Sequence, residues 1–282
     1  VNTNLAAHYG RVGKFDKVRA LASRWAAISP ENPGPLAFLA ISASRTGNLA
    51  EGLRLQRKVV EMAPDDPRAE RWLHFAELDL GEYDLALKAD ETYVRYRALL
   101  LMGRKDEAVA LARQELEARP DFPSQQADTL QLYHNAYEWS DIVRYYDATW
   151  SSLEAFQATF PRPPYHAVLP ALTAAEHPDA PGMHAAARDA IDIQRASGFK
   201  SADLLTAQAQ LAVLEGDQVA AGEFLETAYA NGNRSITLFI DPVLNAAPSP
   251  QFEALLAKTA DAINAERAKL GLPAIEMPEP YL

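Results

Sequence analysis

The sequence predicts an all-α solenoid of about seven stacked helical hairpins with a C-terminal capping helix, and three observations carry that prediction. Gly13, Gly47 and Gly81 stand 34 apart in the numbering, as do Gly103 and Tyr137, and Gly182 and Gly216. Five places beyond these positions stand Val18, Gly52, Ala86, Ala108, Ile142, Ala187 and Ala221, so a small or apolar residue recurs in phase. Pro30 and Pro64, also 34 apart, close the second helices of the first two units. A fixed period of this length marks an array whose units bury their apolar faces on one another rather than around private cores.

The first unit places Leu5, Ala6 and Tyr9 on its first helix, a turn at Gly13-Lys14-Phe15-Asp16, and Val18 and Trp25 on its second. The second unit repeats the scheme with Leu39, Ala40, the turn Gly47-Asn48-Leu49, and Val59. Glycine supplies the turn conformation, small residues let the helices approach, and proline cannot continue a helix. Glu31-Asn32-Pro33 and Asp65-Asp66-Pro67 read as caps that start the following helix with proline in its first turn. The third unit holds Trp72, Leu73, Gly81-Glu82-Tyr83-Asp84 and Ala86, completing a regular stretch over residues 1–84. The next turn glycine, Gly103, follows Gly81 well before a full period has passed, so 85–102 is expected to be an irregular junction of truncated or merged helices.

Repeats are expected again over 103–160, first with Gly103, Ala108, Ala112 and Pro120, then with Tyr133, Tyr137, Trp139, Ile142 and Tyr146. The step from Tyr137 to Gly182 exceeds the period, and the excess coincides with a Pro-rich connection at 161–165. Repeats resume over 166–233, with Ala- and Leu-rich helices at 185–197 and 202–215. Residues 234–282 form the expected cap. The apolar run 236–240 reads as a turn or short helix, because a lone strand would lack a ladder partner. Asp241-Pro242 and Pro248-Ser249-Pro250 are helix starts, and a last helix runs to about residue 270 and stops at Gly271. Lys258, Asp261, Asn264, Glu266 and Lys269 are expected on its polar outer face. The whole chain, 1–282, is thus expected to be one continuous solenoid.

The large-then-small pairs Leu5-Ala6 and Leu39-Ala40, the Gly-polar-aromatic turn and the closing prolines resemble the tetratricopeptide repeat (TPR) superfamily over most of the chain. The resemblance implies a right-handed superhelix whose first helices line a concave groove, where an extended peptide or a helix of a protein partner binds. Residues 221–270 are similar, more narrowly, to the ends of TPR regions in bacterial multidomain signalling proteins of the adenylate cyclase or winged-helix regulator types. Asn231-Gly232, Asp241-Pro242-Val243-Leu244 and Pro250-Gln251-Phe252 carry that similarity. It implies a place in a bacterial signalling or regulatory protein. No cyclase metal-binding pattern and no basic winged helix stands in this sequence, so none of that upstream chemistry carries over. The chain opens at Val1 with neither an initiator Met nor a basic-then-apolar leader, and a cleaved signal or a larger upstream polypeptide is expected before it.

A net charge of −11 argues against a nucleic-acid partner, since phosphate binding needs clustered Lys and Arg. The same charge repels anionic membranes, and the longest strongly apolar run, 98–102, is far too short to span one. Without cysteine there are no disulfides, thiolate nucleophiles or cysteine zinc sites. That composition suits the cytoplasm, with the periplasm left open.

On the groove-facing helices of the third and fourth units, Arg68, Arg71, Phe75 and Arg97 fall together, with Tyr93 nearby. Arginines around aromatic rings would hold a carboxylate or an acidic peptide segment. The alternative is that they are solvated and paired within their helix, as Glu70 could pair Arg68 and Arg71. The Asn- and Lys-lined carboxylate clamp of chaperone-adaptor TPRs is not matched, since Thr3, Ala7, Ala37 and Ile41 occupy those faces. His74, flanked by Glu70 and Glu77, could bind a metal or sense pH, or simply fill a space at a helix crossing. His134 and Glu138 share a helix face without a third ligand. His166, His177 and His184 flank the Pro-rich connection and read as structural or exposed.

Among the aromatics at 133–150, Tyr145 and Trp150 fall off the core phase and could form an exposed patch for a partner or for a homodimer. No nucleophile elbow, phosphate-binding loop or paired-carboxylate motif is present, so neither an enzyme activity nor a cofactor is expected.

Overall fold

In the computed structural model, residues 2–118, 123–160, 169–174, 177–178, 180–198 and 201–281 are described, and among them every regular element is helical. Five hairpins come first: α1 (Asn2–Arg11) with α2 (Phe15–Ile28), α3 (Pro33–Arg45) with α4 (Leu49–Met62), α5 (Pro67–Asp79) with α6 (Tyr83–Ala86), α7 (Thr92–Leu101) with α8 (Lys105–Ala118), and α9 (Pro123–Asn135) with α10 (Trp139–Thr149). After α11 (Leu153–Thr159) come two more, α12 (Leu169–Ala174) with α13 (Ala180–Ala196), and α14 (Ala202–Leu214) with α15 (Gln218–Ala230). A 3₁₀ turn at Ile236–Ile240, α16 (Pro242–Ala246) and α17 (Pro250–Ala268) follow. The Pro-rich connection at 161–165 lies outside the described residues.

The sequence period is written into the hairpin turns as one hydrogen-bonded closure. The amide after each turn residue donates to the carbonyl five positions back: Lys14 to Tyr9 (2.9 Å), Asn48 to Ala43 (2.9 Å), Glu82 to Glu77 (2.9 Å), Arg104 to Leu99 (2.8 Å), Glu138 to Tyr133 (2.9 Å) and Asp217 to Ala212 (2.8 Å). This is the Schellman arrangement, which satisfies carbonyls left open at a helix C-terminus and needs a left-handed residue before the donor. Glycine meets that need everywhere except at the fifth turn, where Tyr137 takes φ 58°. Gly182 does not share the role. It lies in the first turn of α13, and the chain turns before that helix, beside His177 and Pro178.

Helix starts follow the same economy. Asn32 and Asp66 accept the backbone N–H two residues on, at 2.8 and 3.0 Å, and Pro33 and Pro67 occupy first-turn positions where no amide is missed. On α4, Leu49, Leu53, Gln56 and Val59 are buried at helical spacing and seat that helix between its neighbours. The third hairpin is the irregular one, because α6 is only four residues long and the chain enters α7 almost at once.

The C-terminal segment does more than close the end of the stack. Helix α17 packs against α15 and also against α4, back in the second hairpin. Glu266, expected on an outer polar face, is instead 7% exposed, and its carboxylate accepts the Ala50 amide at 2.9 Å. That amide is one of the open donors at the start of α4, where a negative charge is favoured. Arg267, 3% exposed, donates to the Leu80 carbonyl at the end of α5, to Glu82 at 2.6 Å and to the Pro273 carbonyl at 2.7 Å.

Beyond α17 the chain runs extended. Asn264 holds Ile275 through both backbone groups, at 2.9 and 3.1 Å, Ile275 seats on Gly81, and the Tyr281 hydroxyl reaches the Leu100 carbonyl. A side chain on Gly81 would collide with Ile275, so this glycine serves both the turn and the docking.

Candidate functional site

The first helices of successive hairpins turn one face each toward a common chamber of ≈ 400 Å³. Helix α5 contributes Trp72, Phe75, Ala76 and Asp79, and α14 contributes Asp203, Thr206, Ala207 and Gln210. Both sets are spaced i, i+3, i+4, i+7, the spacing of one helical face. Ile41 and Arg45 enter from α3, Tyr93 and Arg97 from α7, and Gln131 and Asn135 from α9. The segment 232–241 supplies the remaining wall. Gly232 (φ 97°) lies so close to the 45–46 backbone that an added Cβ would stand 2.8 Å from the Arg45 carbonyl oxygen.

One side of the chamber is an aromatic run, with ring centres of Trp72 and Phe75 5.6 Å apart and Phe75 and Tyr93 5.8 Å, backed by the buried Tyr96, 5.3 Å from Tyr93. The Arg97 guanidinium lies over the Tyr93 ring at 4.5 Å, one helical turn away on the same helix. Its Nε is shut off from solvent and has no hydrogen-bond partner among the described residues.

The opposite wall is tied down. Gln210 donates to Asp241 at 2.7 Å, Asp241 caps α16 through the Leu244 amide at 3.0 Å, and Asn245 donates to the Leu238 and Asp241 carbonyls. Arg234 donates to the Tyr229 and Asn233 carbonyls while stacking on the Tyr229 ring at 3.6 Å.

Burial dominates the electrostatics here. It pushes the Asp79 carboxyl up to about 6, against the fields of Arg45 and Arg97, and it raises Asp241 to about 6 despite the hydrogen bonds that favour its charged form. Asp128, behind Tyr96, is pushed up to about 7 and Tyr93 up to about 12 for the same reason.

Of the five arginine and aromatic positions expected in the groove, Phe75, Tyr93 and Arg97 meet at this chamber. Arg68 and Arg71 do not line it: Arg68 forks onto its own capping residue Asp66 at 3.1 Å, and Arg71 pairs with Glu91 at 2.9 Å. The exposed patch expected at Tyr145 and Trp150 is not formed. Trp150 is 5% exposed, because α11 folds back and brings Phe156 and Phe160 within 5.0 and 5.7 Å of its ring, while Tyr145 is drawn against it at 5.7 Å.

His74 bonds Glu77 through Nδ1 at 2.8 Å, and its Nε2 stands 4.0 Å from Glu70. His134 is fully buried beside Trp139, and Glu138 pairs with Lys105 rather than with it. His177 bonds Asp147 at 2.8 Å and His184 bonds Glu215 at 3.1 Å, so the two do not converge, and His166 lies outside the described residues. No three His, Asp or Glu residues among those described are grouped to hold a metal, and no described helix is long and apolar enough to cross a membrane.

Sequence reasoning missed Trp72, Asp79, Arg45 and Asp203. The repeat period held a signal for Arg45, which stands one full period before Asp79 just as Ile41 stands one before Phe75. The helical face of Phe75 likewise contains Trp72 and Asp79.

No known family's sequence profile matches the chain, and no curated protein matches it in sequence. Solved structures do match in shape. The Cut9–Hcn1 hetero-tetramer of the APC/C superposes with a TM-score of 0.50 at 15% identity, covering 90% of this chain and 48% of that one. The human IFIT1 dimer with PPP-AAAA gives 0.47 at 16% identity, covering 92% of this chain and 65% of that one. The chain thus spans about half to two thirds of the length of these structures. The fold is a TPR-type α-solenoid.

Proposed function

We propose that the chain is a non-catalytic interaction module that captures a peptide or protein segment, acidic in character, in its concave chamber. The observation that carries this reading is Arg97. Its guanidinium is held on Tyr93 at the chamber wall, with a buried Nε that nothing in the described chain satisfies. An enclosed, oriented and unpaired guanidinium is what carboxylate recognition requires. Trp72 and Phe75 beside it offer apolar area for an adjoining side chain. The similarity of residues 221–270 to the ends of bacterial TPR regions supports placing the module within a signalling or regulatory protein of bacterial type.

A peptide-display selection on the whole chain tests the reading. Enriched sequences should carry an acidic side chain or a free C-terminal carboxylate. Binding should weaken by about tenfold or more, roughly 1.4 kcal/mol, in the Phe75→Ala/Arg97→Ala protein. Peptides that bind the double variant as well as the parent would remove the chamber as the site.

A further inference from the structure

Four charged side chains face the chamber without closing a pair. Arg45, Asp79, Arg97 and Asp203 come from four different helices. None makes a side-chain hydrogen bond, or an ion pair within 4.0 Å, with another described residue. They nonetheless sense one another, since Asp79 feels Arg45, Arg97 and Asp203, and Arg97 feels Asp203. Elsewhere the chain pairs charges that it places at helix ends, as with Arg267 on Glu82. Asp79 and Arg97 are half-buried in the wall while Arg45 and Asp203 are exposed at the chamber's edge, so two cations and two carboxylates line one cavity with their hydrogen-bonding capacity open to a ligand. Their charges balance, so a ligand that brings an ammonium beside its carboxylate would satisfy Asp79 and Asp203 along with the arginines.

This inference rests on the chamber being the binding site and names its occupant. We propose that the chamber binds a small zwitterion of the amino-acid or dipeptide class, its carboxylate on Arg45 and Arg97, its ammonium on Asp79 and Asp203, and its side chain against Trp72 and Phe75. The volume, ≈ 400 Å³, falls at the lower end of the roughly 300–1,000 Å³ usual for small-molecule sites. The 232–241 segment walls off one side, which suits a ligand that ends in the chamber and presents both of its charged groups there.

The test is titration calorimetry of the whole chain with the free amino acids and their glycyl dipeptides. The best binder is then re-measured with its amine acetylated and, separately, with its carboxylate amidated. Each blocked form should bind at least about tenfold more weakly. Asp79→Asn should erase the penalty for acetylation, and Arg97→Gln the penalty for amidation, which a merely structural role for either residue would not do.

An acetylated form that binds as well as its parent overturns the zwitterion while leaving the chamber as an anion site. If no zwitterion binds at concentrations up to about 10 mM, the inference falls. The display selection then decides the underlying reading separately, which stands if the double variant loses binding there and falls with the inference if it does not.

Discussion

The protein treats charge in opposite ways in two regions. Where the C-terminal segment crosses the early repeats, Glu266 meets the open amide of Ala50 and Arg267 meets the open carbonyl of Leu80 together with Glu82, so charges and helix ends complete one another. In the chamber, Asp79 and Arg97 are half-buried and Arg45 and Asp203 exposed, and the four complete nothing within the described chain. The first region is built for stability, because ionic hydrogen bonds to helix termini return what desolvation removes. The second gives up stability that an incoming ligand can restore. The difference teaches that burial of a charge is no guide to its role until its partners are counted.

The largest effect that would break this contrast is expected at Arg267. Arg267→Met keeps the bulk and removes the donors, stranding the Leu80 and Pro273 carbonyls and the Glu82 carboxylate. Loss of one partner from a buried charged network costs about 3–5 kcal/mol. Urea unfolding should show a loss of stability of that size, partly recovered when Glu82→Gln is added. An unchanged midpoint would mean that the C-terminal segment does not dock on the early repeats in solution.

Next in size is Gly232→Ala. At φ 97°, with the Thr46 backbone directly against the missing Cβ, alanine adds both backbone strain and a collision. The expected loss is about 2–3 kcal/mol. Because the strain sits where 232–241 joins the 45–47 turn, zwitterion binding should weaken with it. Gly103, which has open space where a Cβ would stand, is the control and should lose less on substitution.

How legible these regions were differs for a physical reason. The repeat period identified the hairpin turns, and even marked Tyr137 as a turn position before any glycine argument could. It misled at Gly182, because a phase says nothing about which residue of a unit bends. The chamber was half legible. Phe75, Tyr93 and Arg97 follow from local helical spacing and residue chemistry, whereas Asp203 and the 232–241 wall arrive from the other half of the chain through the curvature of the array. Arg71 was misplaced because its neighbour Glu91 lies across the irregular third hairpin, where the period fails. The C-terminal docking was not legible at all. Glu266 looks like a solvent residue on a helix until the helix is known to return to α4 and the end of α5, whereas Lys269 is exposed as expected.

His134 shows a third treatment of polar burial, in which charge is avoided altogether. Both ring nitrogens lack partners among the described residues, and burial lowers its pKa from 6.5 to about 3. The unfolded chain takes up a proton below pH 6.5 while the native imidazole stays neutral down to about 3. Stability conferred by the neutral form is therefore present above 6.5 and lost as pH falls through that window. Relative to His134→Leu, the parent should lose about 2 kcal/mol between pH 7 and pH 5. Paired urea titrations at the two pH values measure it. A difference that does not vary with pH would show that the imidazole is paired or wet.

The smallest expected effect is the one that separates the two regions most directly. Asp79 is held at about 6, above its ordinary 3.8, chiefly by burial. For a carboxyl with a raised native pKa, the favourable contribution is complete below 3.8 and is lost as pH rises through 6. At pH 8 the native state therefore carries an ionised Asp79 at a cost that Asp79→Asn removes. The chamber reaches solvent, which screens the group, and the gain should be about 1 kcal/mol at pH 8, roughly half that near pH 5, and fading toward zero below about pH 4. Neutralising a carboxylate that was paired as Glu266 is would do the reverse and destabilise the protein. If Asp79→Asn lowers stability at pH 8, Asp79 belongs with the completed charges of the C-terminal region. A gain at pH 8 that vanishes on acidification, together with loss of ammonium selectivity in the same variant, would mean the carboxylate is kept for a ligand at the fold's expense.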